Sequence, residues 1–193
     1  MGNRMIRFGR RSDIYPEFSN FWNCRIKWNG LVYSNTEAIF QAQKTLNEEE
    51  QLKFVSLNGG QAKQLGRKIT LRNDWESVKF QTMCDIVYAK FSQNEKLKEL
   101  LLNTGTAYIM EDTTGWHDNI WGHCSCDRCK SKPSKNLLGL ALMFTRAKLI
   151  GDDKCEVIIK FGDEVFTPDL CTLMRDDGER FWELIDSINK YAE

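Results

Sequence analysis

The stretch from Arg25 to Lys44 constrains the fold more tightly than any other part of this 193-residue chain. Asn29-Gly30 lies between two short runs, Arg25-Ile26-Lys27-Trp28 and Leu31-Val32-Tyr33. An Asn-Gly pair supplies the positive-φ residues of a tight turn, so the two runs read as a β-hairpin. The chain then passes with no linker into Ser34-Asn35-Thr36-Glu37-Ala38-Ile39-Phe40-Gln41-Ala42-Gln43-Lys44, which reads as a helix start.

On that helix Glu37, Gln41 and Lys44 stand at i, i+4 and i+7 and share one face. A carboxylate and an amine about 10 Å apart along a helix axis can bracket a small polar group. Acid/base or covalent chemistry on a sugar needs such groups held on a rigid element. The same residues have a structural reading. Ser34-x-x-Glu37 is a capping-box pattern, and a lysine such as Lys44 is by default solvated.

Composition narrows the function classes. Apolar residues at 41% and charged residues at 28% are those of a water-soluble globular chain, and no apolar run reaches membrane-spanning length. The formal net charge is zero, which argues against bulk electrostatic binding to nucleic acid. The start is nonetheless basic: Arg4, Arg7, Arg10 and Arg11 precede the first acid, Asp13, and read as a phosphate-facing arm or a solvated end. The N-terminus carries no signal-peptide core. Reduced thiols and a cytoplasmic location are expected for the seven cysteines.

Further along, Asn58-Gly59-Gly60 breaks a short helix near Glu48, and a helix over Gln61–Leu65 ends at Gly66, read as a C-terminal glycine. Asn73-Asp74 caps a helix from Trp75 towards Ser92 whose Trp75, Val78, Lys79, Met83, Ile86, Val87 and Lys90 follow a helical period. Glu95–Leu102 reads as a helix, Ala107–Glu111 as a strand, and Asn136–Leu149 as a helix or a strand-to-helix segment. Past Gly151, Cys155–Phe161 and Glu164–Phe166 read as strands and 178–192 as an amphipathic helix.

Residues 112–135 form a long polar loop, and loops of that length in compact domains are usually functional or disordered. Both histidines, His117 and His123, lie in it, with Trp116, Asp118, Trp121, Gly122 and the run Cys124-x-Cys126-x-x-Cys129. Two tryptophans want a core or a flat ligand to cover. Cys124, Cys126 and Cys129 are candidate ligands of a structural zinc, with His123 or a distant cysteine completing four. The alternative is a set of reduced thiols among lysines 130, 132 and 135.

Several separated segments together resemble the YbiA-like, or NADAR domain, family. They are Phe18-Ser19-Asn20-Phe21, Ser34-x-x-Glu37-Ala38-x-Phe40-Gln41-Ala42-x-Lys44, Leu65-Gly66-Arg67, Asp74-Trp75-x-x-x-Lys79-x-x-x-Met83 and Lys90-Phe91-x-Gln93-Asn94. Leu101-Leu102-x-Thr104-Gly105, Glu111, Asp118-x-x-Trp121-Gly122 and Asn136-x-Leu138-Gly139-x-x-Leu142-Met143-x-x-Arg146 continue it in order, from about residue 6 to 150. The cysteines after Trp121-Gly122 depart from simpler family members, and residues 151–193 lie outside the resemblance.

The resemblance implies a compact, mostly helical α+β domain with a small sheet over 1–150; the strands and helix read past Gly151 make 151–193 a strand–helix extension packed on it. It implies N-glycosidase chemistry that needs no cofactor. The substrates it points to are ADP-ribose on guanine in nucleic acid, or a ribosylamino-pyrimidine phosphate of riboflavin synthesis; a silent binder of ADP-ribose-like ligands is the third reading. Cleaving a ribosyl C1′–N bond places positive charge on the sugar and negative charge on the base. Glu37 is then the group that stabilises the first or takes a hydroxyl proton, Asp118 a second acid/base, and Lys44 an anion partner or a nucleophile at C1′. Phe18, Phe40 and Trp121 are candidates for stacking or lining the sugar pocket, beside Gln41 and Gly122. Ser19 and Asn20 are candidates for ribose hydroxyls or phosphate, and Asn136 opens a segment whose N–H groups can meet a phosphate. Phe40 also reads as core, Gly122 and Gly139 as backbone devices, and Asn20 as an Asx turn.

Overall fold

The structure is a computed structural model that describes residues 5–9, 14–151, 159–161, 164–166 and 179–191. The chain divides into two compact units, Glu17–Leu100 and Met1–Pro16 with Leu101–Glu193.

In the first unit, β1 (Met5–Gly9) being part of the other, the chain begins with the hairpin of β2 (Ile26–Trp28) and β3 (Leu31–Tyr33), paired antiparallel with Trp28 opposite Leu31. Asn29 and Gly30 take φ of 46° and 81°, the left-handed pair that this turn requires. Four helices follow: α1 (Thr36–Ala42), α2 (Glu48–Leu52), α3 (Gly59–Gly66) and α4 (Trp75–Ser92), with most of α5 (Glu95–Leu102). α1 packs against α3 and α4, and every one of its residues is buried. A helix that buries Thr36, Glu37 and Gln41 must find partners for them, because an unpaired buried polar group costs about 1–3 kcal/mol.

Three local expectations are corrected here. Asn35 rather than Ser34 caps α1, its Oδ1 accepting from Ala38 N at 2.8 Å; Ser34 Oγ donates to Leu57 O instead, which leaves Glu37 out of any capping box. Asp74 makes no side-chain cap on α4, because its carboxylate is engaged by the Arg72 guanidinium at 2.6 and 2.7 Å. Gly66 is the last residue of α3, not a left-handed glycine beyond it, and Arg67 is the cap with φ −82°. The reciprocal capping box belongs to Asn58 and Gln61 at the start of α3.

Lys90 on α4 is 1% exposed. Its Nζ donates to Glu17 O at 2.5 Å and Ser19 O at 2.9 Å, so a buried amine clamps the turn carrying Phe18, Ser19 and Asn20. Burial lowers its pKa to about 8, against the raising charges of Cys24 and Glu17.

In the second unit β1 and β4 (Tyr108–Asp112) run parallel, Met5 opposite Tyr108 and Gly9 opposite Asp112. Ile6 and Phe8 point to the same side of β1 and are buried; burial of such side chains contributes roughly 2 kcal/mol each. α6 (Leu137–Leu149) packs on β4 and is buried from Leu137 to Ala147, as befits a helix apolar all round. Its Arg146 is fixed by Nη1 bonds to Thr104 Oγ1 at 2.7 Å and Ala107 O at 2.9 Å, and burial lowers its pKa to about 10. β5 (Ile159–Phe161) and β6 (Glu164–Phe166) pair antiparallel, and α7 (Glu179–Tyr191) closes the described chain; residues 155–158 of the expected strand lie outside the described residues. Asn189 of α7 is buried. It accepts from Tyr108 Oη at 3.0 Å and donates to Ser134 Oγ at 3.0 Å.

Arg7, expected in a basic arm, lies in β1 and pairs with Asp112 at 3.2 Å; Arg4, Arg10 and Arg11 lie outside the described residues. Among the described residues no helix is long and apolar enough to cross a membrane.

Candidate active site

The first unit brings Asn20, Glu37, Phe40, Gln41 and Lys44 together around α1, though not as a single helical stripe. α1 stops at Ala42 with Gln43 as its cap. Lys44 follows in a turn, its N–H donating to Gln41 O at 3.3 Å and its carbonyl accepting from Arg72 N at 2.8 Å. The lysine is therefore placed by the turn and by Arg72.

Glu37 is 6% exposed and Gln41 is 4% exposed. Gln41 Nε2 donates to Glu37 Oε1 at 2.8 Å, which fixes the carboxylate and orients the amide. The other amide atom, Gln41 Oε1, is buried with no hydrogen-bond partner among the described residues. α3 makes room for this amide only because residue 66 is glycine.

Lys44 is half-buried, and burial lowers its pKa. The Glu37 charge opposes that shift, Lys63 and Arg67 reinforce it, and Glu76 opposes it weakly. Lys44 thus has two cations and two carboxylates as electrostatic neighbours. Lys63 also lies over the half-exposed Phe21 ring, 5.8 Å from its centroid. Lys63 and Arg67 carry no sequence signal beyond their i, i+4 spacing across the end of α3.

Several expected binding residues make contacts within the fold. Phe18 is 1% exposed and packs edge-on against Phe91, with ring centroids 5.9 Å apart. Phe40 packs on Trp75 at 5.0 Å and is buried. Asn20 Oδ1 accepts from Thr36 Oγ1 at 2.9 Å, and its Nδ2 contacts Met83 Sδ at 3.4 Å. Its carbonyl accepts from Glu37 N at 3.0 Å, so Asn20 ties the turn to the start of α1. Ser19 Oγ accepts from Phe21 N.

In the second unit, Asp118 Oδ1 accepts from Ile120 N at 2.8 Å and Trp121 N at 2.9 Å. That is an Asx-type turn, and it presents the half-buried Trp121. Gly122 is required by close approach, since a Cβ would lie 2.4 Å from Thr113 Cγ2 and 2.6 Å from Glu111 O. The first two N–H groups of α6 are engaged within the fold: Leu137 N and Leu138 N donate to Ile120 O and Trp121 O. Asn136, at φ 49°, is fully buried. Its Nδ2 donates to Ile109 O and Tyr108 Oη, and its Oδ1 accepts from Glu111 N.

The loop cysteines converge. Cys124, Cys126 and Cys129 surround Nδ1 of His117, whereas His123 turns inward and bonds Ser134 Oγ at 2.9 Å. His117, not His123, is the imidazole beside the sulfurs.

A small α+β enzyme domain is defined by this fold and by a buried carboxylate held against an amide beside a half-buried amine. The NADAR domain matches residues 7–150. The N-glycosidase YbiA of Escherichia coli is 40% identical over 153 residues, covering 77% of this chain and 91% of that protein. An N-glycosidase of Nostoc punctiforme is 32% identical, over 70% of this chain and 86% of its own length. The NMR structure of E. coli YbiA superposes with a TM-score of 0.66 at 37% identity, covering 78% of this chain and 87% of that one. The chain belongs to the NADAR domain family, and its class is that of the N-glycosidases among which these relatives fall.

Proposed function

We propose that this protein hydrolyses the C1′–N bond of a phosphorylated ribosyl compound, and that its substrate is ADP-ribose attached to guanine, as free base or in nucleic acid. One observation carries the reading: the buried Glu37 carboxylate, oriented by Gln41, stands in the same electrostatic neighbourhood as Lys44, Lys63 and Arg67. A glycosidic break needs an anion near the sugar, where positive charge develops, and the phosphate groups of the substrate need cations. One helix and the turn after it, with α3 alongside, supply both.

In the mechanism we favour, Glu37 stabilises the developing cation at C1′ or takes a proton from a ribose hydroxyl. Lys44, whose free amine is favoured by burial and two neighbouring cations, attacks C1′ of the opened ribose. The C1′–N bond breaks as the base leaves with the proton that the amine gives up, and water then hydrolyses the imine left on Lys44, releasing ADP-ribose and the free amine. Asp118 acts by holding the Trp121 turn. A riboflavin biosynthesis protein of Vibrio vulnificus is 31% identical over 75% of this chain but only 38% of its own length. That relative supports the second reading, a ribosylamino-pyrimidine phosphate as substrate of the same chemistry.

Incubation of the protein and a Glu37→Ala control with guanine-ADP-ribosylated oligonucleotide, read by mass spectrometry, tests the proposal. Release of ADP-ribose by the wild type alone is expected. Release of nothing by a folded wild type, with turnover of the pyrimidine, moves the assignment to the second substrate.

A further inference from the structure

We propose that His117, Cys124, Cys126 and Cys129 bind a structural zinc ion that pins the loop between β4 and α6. His117 Nδ1 lies 3.2 Å from Cys126 Sγ, 3.6 Å from Cys129 Sγ and 3.8 Å from Cys124 Sγ. The Cys124 and Cys126 sulfurs are 3.4 Å apart, and all four donor atoms lie within 4.8 Å of one another. Tetrahedral zinc, with bonds of about 2.3 Å to sulfur and about 2.0 Å to nitrogen, sets its ligand atoms roughly 3.5–3.8 Å apart. The four side chains already stand near the corners of that tetrahedron.

The backbone is shaped to the same end. Cys129 N and Lys130 N both donate to Cys126 O, at 2.8 and 2.9 Å. The Arg128 N–H turns to the Cys126 sulfur, so the Cys-x-x-Cys turn wraps the position between its thiols. His117 takes φ 62°, a left-handed conformation uncommon for a residue with a side chain, at the end of a turn in which its N–H donates to Thr113 O. A disulfide needs sulfurs about 2.05 Å apart, and all three loop cysteines are free thiols.

Charge also fits. Three thiolates and one imidazole leave a zinc centre with a net charge of about −1, and Arg128, Lys130, Lys132 and Lys135 lie in the same loop. Four protein ligands fill the shell, which makes the ion structural rather than catalytic. Binding drives the three thiol protons into solvent. The ion would act on the loop through neighbours of its ligands. Asn119 Oδ1 accepts from Cys124 N at 2.9 Å, and Asp118, next to His117, holds Ile120 and Trp121.

Protein purified under reducing conditions should carry about one zinc per chain, measured by inductively coupled plasma mass spectrometry. Replacement by cobalt(II) should give the intense visible bands of a tetrahedral site and a sulfur-to-metal charge-transfer band. Cys126→Ser and His117→Ala should lose the metal, and Cys24→Ser should keep it. Because a ligand variant can unfold, apo wild type made by chelation is also titrated with cobalt(II). A wild type without zinc whose apo form gives no tetrahedral cobalt spectrum would overturn the site. So would a Cys124–Cys126 disulfide in the reduced, freshly purified protein, found by peptide mass mapping.

Discussion

Gly66 stands so close to Gln41 that a Cβ on it would fall 1.9 Å from Gln41 Oε1 and 2.7 Å from its Cδ. The clash is with the far end of a side chain, so Gly66→Ala displaces the amide rather than the helix. Gln41 then lets go of Glu37. A misplacement on the order of 1 Å in a catalytic group costs about a hundredfold in rate. We expect Gly66→Ala to keep its far-ultraviolet circular dichroism and to lose kcat/KM by that order. An unchanged kcat/KM would remove the Gln41 contact from catalysis.

Glu37→Gln keeps the volume at the site and an acceptor for Gln41 Nε2, and removes the carboxylate. Loss of a positioned acid/base group costs about a hundred- to ten-thousandfold, so single-turnover release should slow by that order. Binding of ADP-ribose, followed by calorimetry, should change only a few-fold. Lost binding with turnover of the bound fraction intact would make the residue a ligand contact.

The Lys44 proposal predicts a slope in the pH profile. Its pKa is lowered in the fold by burial and by Lys63 and Arg67, so the free-amine fraction grows as pH rises through that lowered value. On the covalent reading kcat/KM rises with it. Lys44→Arg, which keeps a charge but offers no nucleophile, should be inactive, and borohydride should trap substrate on the wild type alone. A profile that falls over the same range would make Lys44 a cation for phosphate instead.

Lys90 predicts a stability effect of definite sign. Its amine titrates at about 8 in the fold against 10.5 in the open chain, so between those values the unfolded state binds more protons. Stability therefore gains from this group as pH rises above 8, and below that its burial cost is constant. The urea midpoint of the wild type should rise between about pH 8 and pH 10 relative to that of Lys90→Met. Parallel midpoints across that range would rule out the buried charge as their cause.

Much of this was legible in the chain because it is local. The Asn29-Gly30 hairpin follows from turn chemistry, and α4 from the helical spacing of Trp75, Met83, Ile86, Val87 and Lys90, all of them buried. The local stretch after that hairpin carries Glu37 and Lys44, which the fold sets in one electrostatic neighbourhood. What escaped depends on contacts distant in sequence. No glycine or proline marks the end of α1 at Ala42; Arg72 N, bonding Lys44 O, and Gln51 Nε2, bonding Thr45 O at 2.7 Å, take the following carbonyls. Gly66 looked like a helix stop because its partner Gln41 comes from another helix. His123 looked like the ligand because it adjoins Cys124, while the positive φ of His117 is what brings the other ring to the sulfurs.

The bonds from Asn189 to Tyr108 Oη and Ser134 Oγ bear on where the protein can be cut. The family match ends at residue 150, and an expression fragment trimmed there would look complete by homology. It would leave the buried Tyr108 hydroxyl without its acceptor and Ser134, which steadies the His123 ring, without a donor. A fragment that keeps these bonds runs through α7, and this helix beyond the family match is a fastening of the cysteine-bearing loop.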